Sequence, residues 1–126
     1  MEESQQVTLR FLRENPNHIF VFGDNGRRIG KKGAAFFRDE PNAYGFITKK
    51  RPSFDNDAYY KPSEYYPVYV HEMMKLMDKI EANPNKTFLI SKLGSGLANK
   101  YRIFQDVIQK NIKKDLGDFP NVKFLW

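Results

Sequence analysis

Two glycine-rich stretches hold most of the residues that could do chemistry. The first is Gly23-Asp24-Asn25-Gly26-Arg27-Arg28-Ile29-Gly30-Lys31-Lys32-Gly33-Ala34-Ala35, set between an apolar run and a short helix-forming one. Its four glycines permit positive φ and close backbone approach, and the amides at the start of the following helix would point outward, as an anion site requires. The order is neither the dinucleotide fingerprint nor the Walker pattern. The second stretch, Lys92-Leu93-Gly94-Ser95-Gly96-Leu97-Ala98-Asn99, has the same setting, and Ser95 and Asn99 suit phosphate or hydroxyl oxygens. Ser95 is not read as a nucleophile, because the Gly-x-Ser-x-Gly elbow is incomplete and neither histidine is placed to serve it.

Asp24 and Asn25 have two readings. A carboxylate there accepts from a base amino group or a ribose hydroxyl, or polarises a water; alternatively both residues bond their own turn, as Asx residues do. Thr48 and Lys49, in Thr48-Lys49-Lys50-Arg51, would complete the anion site, while Lys50 and Arg51 read as solvated. Phe54, Tyr59, Tyr60, Tyr65 and Tyr66 offer a stacking wall for a base, with some of them core.

The 126 residues carry a net charge of +6. From Arg27 to Arg51 eight basic residues face two acids, so this segment holds the whole excess and the rest of the chain balances. Arg27, Arg28, Lys31 and Lys49 are the expected sources of positive potential for an anionic ligand. With no cysteine, a disulfide framework, a thiolate nucleophile and a zinc ribbon are excluded. His18 and His71 stand in no metal-binding spacing, so no metal and no cofactor are expected. No apolar run approaches the roughly 20 residues that cross a bilayer, and Met1-Glu2-Glu3-Ser4 lacks a signal pattern, so a cytoplasmic protein without membrane contact is expected.

The elements that must position these loops follow from periodicity. Residues Val7 to Glu14 fit a short helix, although Gln6 to Phe11 also reads as a strand. His18 to Phe22 is β-branched and aromatic throughout, a strand buried on both faces, which should end at Gly23. Gly33 to Arg38 reads as a short helix and Tyr44 to Thr48 as a strand. Ser63 to about Ala82 reads as a helix with Pro67 in its first turn, and Met73, Met74 and Met77 fill core. Thr87 to Ser91 is a strand, Tyr101 to Ile112 a helix and Val122 to Leu125 a last strand. His71 and the Lys110 to Lys114 cluster read as helix surface. This alternation predicts one α/β domain over residues 1–126, with a mainly parallel sheet and helices on both faces. In such a sheet the ligand crevice lies outside the carboxyl ends of the strands, where the unusual loops fall.

Taken together, Phe20-Val21-Phe22-Gly23-Asp24-Asn25, Gly30-Lys31-Lys32-Gly33-Ala34-Ala35, Gly45-Phe46-Ile47-Thr48-Lys49 and Leu93-Gly94-Ser95-Gly96-Leu97-Ala98 resemble a family of small bacterial and bacteriophage proteins. That family is marked by a Phe-Val-Phe-Gly-Asp/Ser-Asn start and a late Gly-Cys-Gly-Leu-Ala loop. More distantly, the layout is similar to macrodomains, which bind ADP-ribose between two such loops. The resemblance implies Gly23, Asp24 and Asn25 at the ligand, Gly30, Gly33 and Ala34 around one phosphate, and Gly94, Ser95, Gly96, Leu97 and Ala98 around another. This chain departs from the pattern at Lys32, where a second glycine is common, at Ile47, where proline is usual, and at Ser95, where cysteine is common.

The expectation is a macrodomain-like, Rossmann-like domain that binds a nucleotide-derived small molecule. The phage resemblance implies an anti-defence protein that sequesters or hydrolyses such a signal in the host cytoplasm. If it is an enzyme, it is a hydrolase of ADP-ribosyl or phosphate bonds with Asp24 or Lys49 as the acid/base group. Binding to nucleic acid through the basic segment ranks lower, beside a protein-binding inhibitor role. The sequence does not give the oligomeric state.

Overall fold

The computed structural model describes residues 7–126; the N-terminal residues read above for a targeting pattern lie outside that range. Four strands, β1 (His18–Asn25), β2 (Ala43–Lys49), β3 (Thr87–Ile90) and β4 (Val122–Phe124), form one sheet in the order β2-β1-β3-β4. Every neighbouring pair is parallel. The architecture is therefore α/β with a wholly parallel sheet.

Side-chain alternation along the central strands divides the core into two layers. Phe20, Phe22 and Leu89 pack with Leu12 of helix α1 (Leu9–Glu14) and Ala35 of a 3-10 turn (Gly33–Phe37). On the other face Ile19, Val21, Phe88 and Ile90 pack under helices α2 (Pro62–Ala82) and α3 (Gln109–Leu116). A π-helical turn, Phe104–Ile108, runs directly into α3. Thr8 caps α1 by accepting from the Phe11 amide at 3.0 Å. Buried Asn42 clasps α1 to the sheet, its Nδ2 donating to the carbonyls of Leu12 (2.9 Å), His18 (3.0 Å) and Asn15 (3.2 Å).

Several expectations need correction. β1 does not end at Gly23, because Gly23, Asp24 and Asn25 stay paired with β2. The expected helix from Gly33 is a five-residue 3-10 turn, too short to carry much macrodipole. Pro67 lies in the second turn of α2, tolerated because it and Ser63, whose carbonyl loses its helical donor, are both exposed. Of the three methionines, Met73 is buried and Met77 partly so, but Met74 is 62% exposed on the outer face of α2.

The outer edge of β2 is closed by side chains. Glu72 Oε1 accepts from the Ile47 amide at 2.7 Å, Tyr65 Oη donates to the Ile47 carbonyl at 2.7 Å, and Arg28 Nη1 donates to the Gly45 carbonyl at 3.1 Å. Among the described residues, no helix is long and apolar enough to cross a membrane.

Two stability predictions follow from this packing. Asn42→Ala removes the clasp between α1 and the sheet and should cost about 1–3 kcal/mol in urea unfolding at unchanged m-value. Burial raises the Tyr65 hydroxyl well above the ordinary phenol range, and burial plus the Asp115 carboxylate raises that of Tyr69. In the unfolded chain both ionise near pH 10, while the folded chain keeps their protons. Their contribution should be intact below about pH 9 and lost as pH rises above about 10, read as a falling urea midpoint that is shallower in Tyr69→Phe.

Candidate functional site

The chain passes from β1 to β2 on one side and then crosses to β3 on the other, so the sheet's topological switch point lies between β1 and β3. Crevices form at such points because the loops after the two strands diverge. Here the loops after β1, β2 and β3 enclose a cleft of about 610 Å³, within the range typical of small-molecule sites. Its walls come from Gly23–Asn25, Ile29–Ala35, Thr48, Lys49, Pro52, Phe54, Ser91–Gly94 and Gly96–Ala98. The loops meet across it: a Cβ on Gly33 would lie 3.9 Å from Leu97 Cδ1. Gly94 has φ +76°, a backbone conformation that other residues rarely adopt, and a Cβ there would lie 2.6 Å from Ile108 Cδ1, so glycine suits the path of the third loop.

Most residues singled out in the sequence line this cleft, namely those of Gly23–Asn25, Gly30, Lys31, Gly33, Ala34, Thr48, Lys49, Gly94 and Gly96–Ala98. Four are not among its lining residues. Arg27 is exposed, and Arg28 turns back to the β2 edge, toward Asp24 (3.4 Å) and Glu72 (3.6 Å). Ser95 Oγ donates to the Lys92 carbonyl at 2.7 Å. Asn99 caps the π-helical turn, accepting from the Phe104 amide at 2.9 Å and donating to Gln105.

Asp24 lies within β1 and not in the loop after it. Its carboxylate is 2% exposed and lies 2.5 and 2.6 Å from Arg38 Nη1; it also accepts from the Asn25 amide at 2.7 Å. The same guanidinium donates to the carbonyls of Ile29 and Gly30, each at 3.0 Å, so Arg38 ties the first loop to the sheet. In the sequence Arg38 reads only as part of the basic segment and as the end of a short helix. Gly45 was missed as well: a Cβ there would collide with the Asp24 carboxylate. A glycine inside a strand signals such close approach, and that was the available clue.

Much of the basic segment is paired, in part with acids that follow it in the chain. Lys31 pairs with Asp39, Lys50 with Glu64 at 2.9 Å, and Arg51 with Asp55 and Asp57. Lys49 instead sits 5.1 Å from the Phe54 ring centre and 4.6 Å from that of Tyr59, and Lys92 lies 5.2 Å from that of Phe104. Neither lysine has a carboxylate partner among the described residues. Of the expected stacking residues, only Phe54 lines the cleft, 75% exposed. Tyr59 and Tyr65 are core and Tyr66 is on the outer face of α2. Among the described residues no group of three His, Cys, Asp or Glu is gathered as a metal would need.

These contacts make Arg38 the anchor of the site. Arg38→Ala leaves a buried carboxylate short of its main partner and should cost roughly 3–5 kcal/mol. Arg27→Ala should stay within about 0.5 kcal/mol. The double variant Arg38→Ala with Asp24→Asn should lose much less than the sum of the single changes in urea unfolding; simple additivity would rule the coupling out.

The model of a family of unknown function, DUF7831, matches residues 2–100. That span contains β1 to β3 and all three cleft loops, and stops short of α3 and β4. No curated protein and no solved structure matches the chain. By its cleft-bearing portion, the chain belongs to the DUF7831 family of unknown function.

Proposed function

We propose that the cleft binds a nucleotide-derived anion, ADP-ribose or a relative of it, and that the protein works by binding it. One observation carries the reading: two glycine loops face each other across a 610 Å³ cleft at the switch point of a parallel sheet. Amides along both loops are bonded to no acceptor among the described residues, including those of Gly33, Gly94 and Gly96. Phosphate oxygens suit such donors, and Lys49 and Lys92 add positive charge. Exposed Phe54, Ile29 and Leu97 give the cleft an apolar rim on which a base ring can lie.

The resemblance to macrodomains read from the sequence is what favours ADP-ribose among the nucleotides. Sequestration fits better than hydrolysis, since the Asp24 carboxylate is already held by Arg38 and has no exposed oxygen to offer a reacting water. In the bacteriophage setting implied by the resemblance, removal of a host signalling nucleotide would serve as an anti-defence act.

The test is thermal shift and calorimetry against ADP-ribose, NAD, cyclic ADP-ribose isomers, cyclic nucleotides and short oligonucleotides. A ligand at 100 times its Kd should stabilise the fold by about 2.7 kcal/mol, seen as a rise of several degrees in Tm, without turnover. Phe54→Ala and Lys49→Ala should each weaken binding by roughly 5- to 100-fold at unchanged Tm of the free protein. A flat response to every small molecule removes the reading, and a shift with oligonucleotides alone transfers the cleft to nucleic acid.

A further inference from the structure

We infer that the anion site continues past the mouth of the cleft: Lys49 and Lys100, both set on the ring of Tyr59, form a second phosphate subsite. The ligand then carries a further phosphate besides the one gripped by the glycine loops. This deepens the nucleotide reading above and rests on it. A nucleotide also phosphorylated on its ribose and the end of a short oligonucleotide both supply such a group.

The cations around the cleft differ in what holds them. Lys31, Lys50 and Arg51 are held by carboxylates, which neutralise them. Lys49 is held by the rings of Phe54 and Tyr59. Lys100 is held by the Tyr59 ring, 5.3 Å from its centre, and by the side-chain carbonyl of Asn56, to which its ammonium donates. Rings and amide oxygens carry no net charge, so they fix where an ammonium sits and leave its charge to be matched by something else. The acids nearest in sequence to that carbonyl are already committed, since Asp55 and Asp57 both pair with Arg51.

The ring that carries the two lysines is itself fixed. Tyr59 is buried, and the chain just before it is tied to the end of β2 by the Lys50 amide, which donates to the Ala58 carbonyl at 2.8 Å. With their nitrogens 4.6 and 5.3 Å from one ring centre, the two ammonium groups are no more than about 10 Å apart. Among the described residues no other two lysines share a ring. Like charges held this close repel, and a phosphate that reaches both removes the repulsion while accepting from each.

Placement separates this group from the first phosphate. The unbonded amides of Gly33, Gly94 and Gly96 belong to the two glycine loops, which meet across the cleft where Gly33 approaches Leu97. Lys49 lines the cleft, whereas exposed Lys100 stands two residues beyond its last lining residue, Ala98. A group that touches Lys100 therefore lies outside the cleft, on the side of the loop after β2.

Calorimetric titration compares ADP with its 2′- and 3′-phosphorylated forms, and AMP with the 5′-phosphorylated dinucleotide pApA. At least one added phosphate should tighten binding about fivefold or more. A gain from a ribose phosphate identifies a monoester ligand, and a gain from pApA alone a phosphodiester. Lys100→Gln should bring the gain down to about twofold or less, whereas Lys123→Gln, which removes the same charge on β4 at the far edge of the sheet, should keep it. Gains all below about fivefold, a larger gain that survives Lys100→Gln, or one that Lys123→Gln also abolishes overturns the subsite and leaves the nucleotide site standing. If none of these nucleotides binds, the nucleotide reading itself fails and the inference goes with it.

Discussion

Burying a carboxylate at the end of a strand sets a problem that the surrounding chain has to solve. Asp24 loses its water, and the cost of several kcal/mol is offset only by a charged partner in good geometry. Arg38 provides that partner, reaching back from the end of the 3-10 turn past the ring of Phe22. Because the same guanidinium also holds the Ile29 and Gly30 carbonyls, one side chain fixes the strand end, the first loop and the turn after it. Gly45 on the neighbouring strand leaves the space in which the carboxylate sits. The shape of the cleft follows from this arrangement, since its first wall is the loop that Arg38 holds.

Much of the fold was legible in the sequence because the signals were local. His18 to Phe22 is apolar on both faces, and such a run fits only a strand covered on each side. The loop positions followed from the breaks in that pattern. The end of β1 was not legible, because Gly23-Asp24-Asn25 has the composition of a turn, and what keeps it in the sheet is pairing with β2, residues away in sequence. Met74 was misread for a related reason: periodicity shows that a helix has an apolar stripe but not how wide a face its neighbours cover.

The site was legible as backbone and less so as charge. Glycines marked the loops because positive φ is a property of the residue itself, and Gly94 occupies the left-handed region. The concentration of positive charge between Arg27 and Arg51 indicated an anion, yet Lys31, Lys50 and Arg51 are matched by nearby acids. A count along the chain includes those acids only when they fall in the same window, and Asp55, Asp57 and Glu64 lie beyond it. Lys49 and Lys92 stand apart because aromatic rings, not carboxylates, hold them, and both line the cleft.

β2 is an outermost strand, and an outermost strand of a parallel sheet normally presents unpaired amides and carbonyls to any passing chain. Here Glu72, Tyr65 and Arg28 occupy those groups at Gly45 and Ile47. A foreign strand cannot pair along this border without first displacing three anchored side chains, two of them almost wholly buried. This border of the sheet is thereby protected against edge-to-edge growth, the first step toward aggregation.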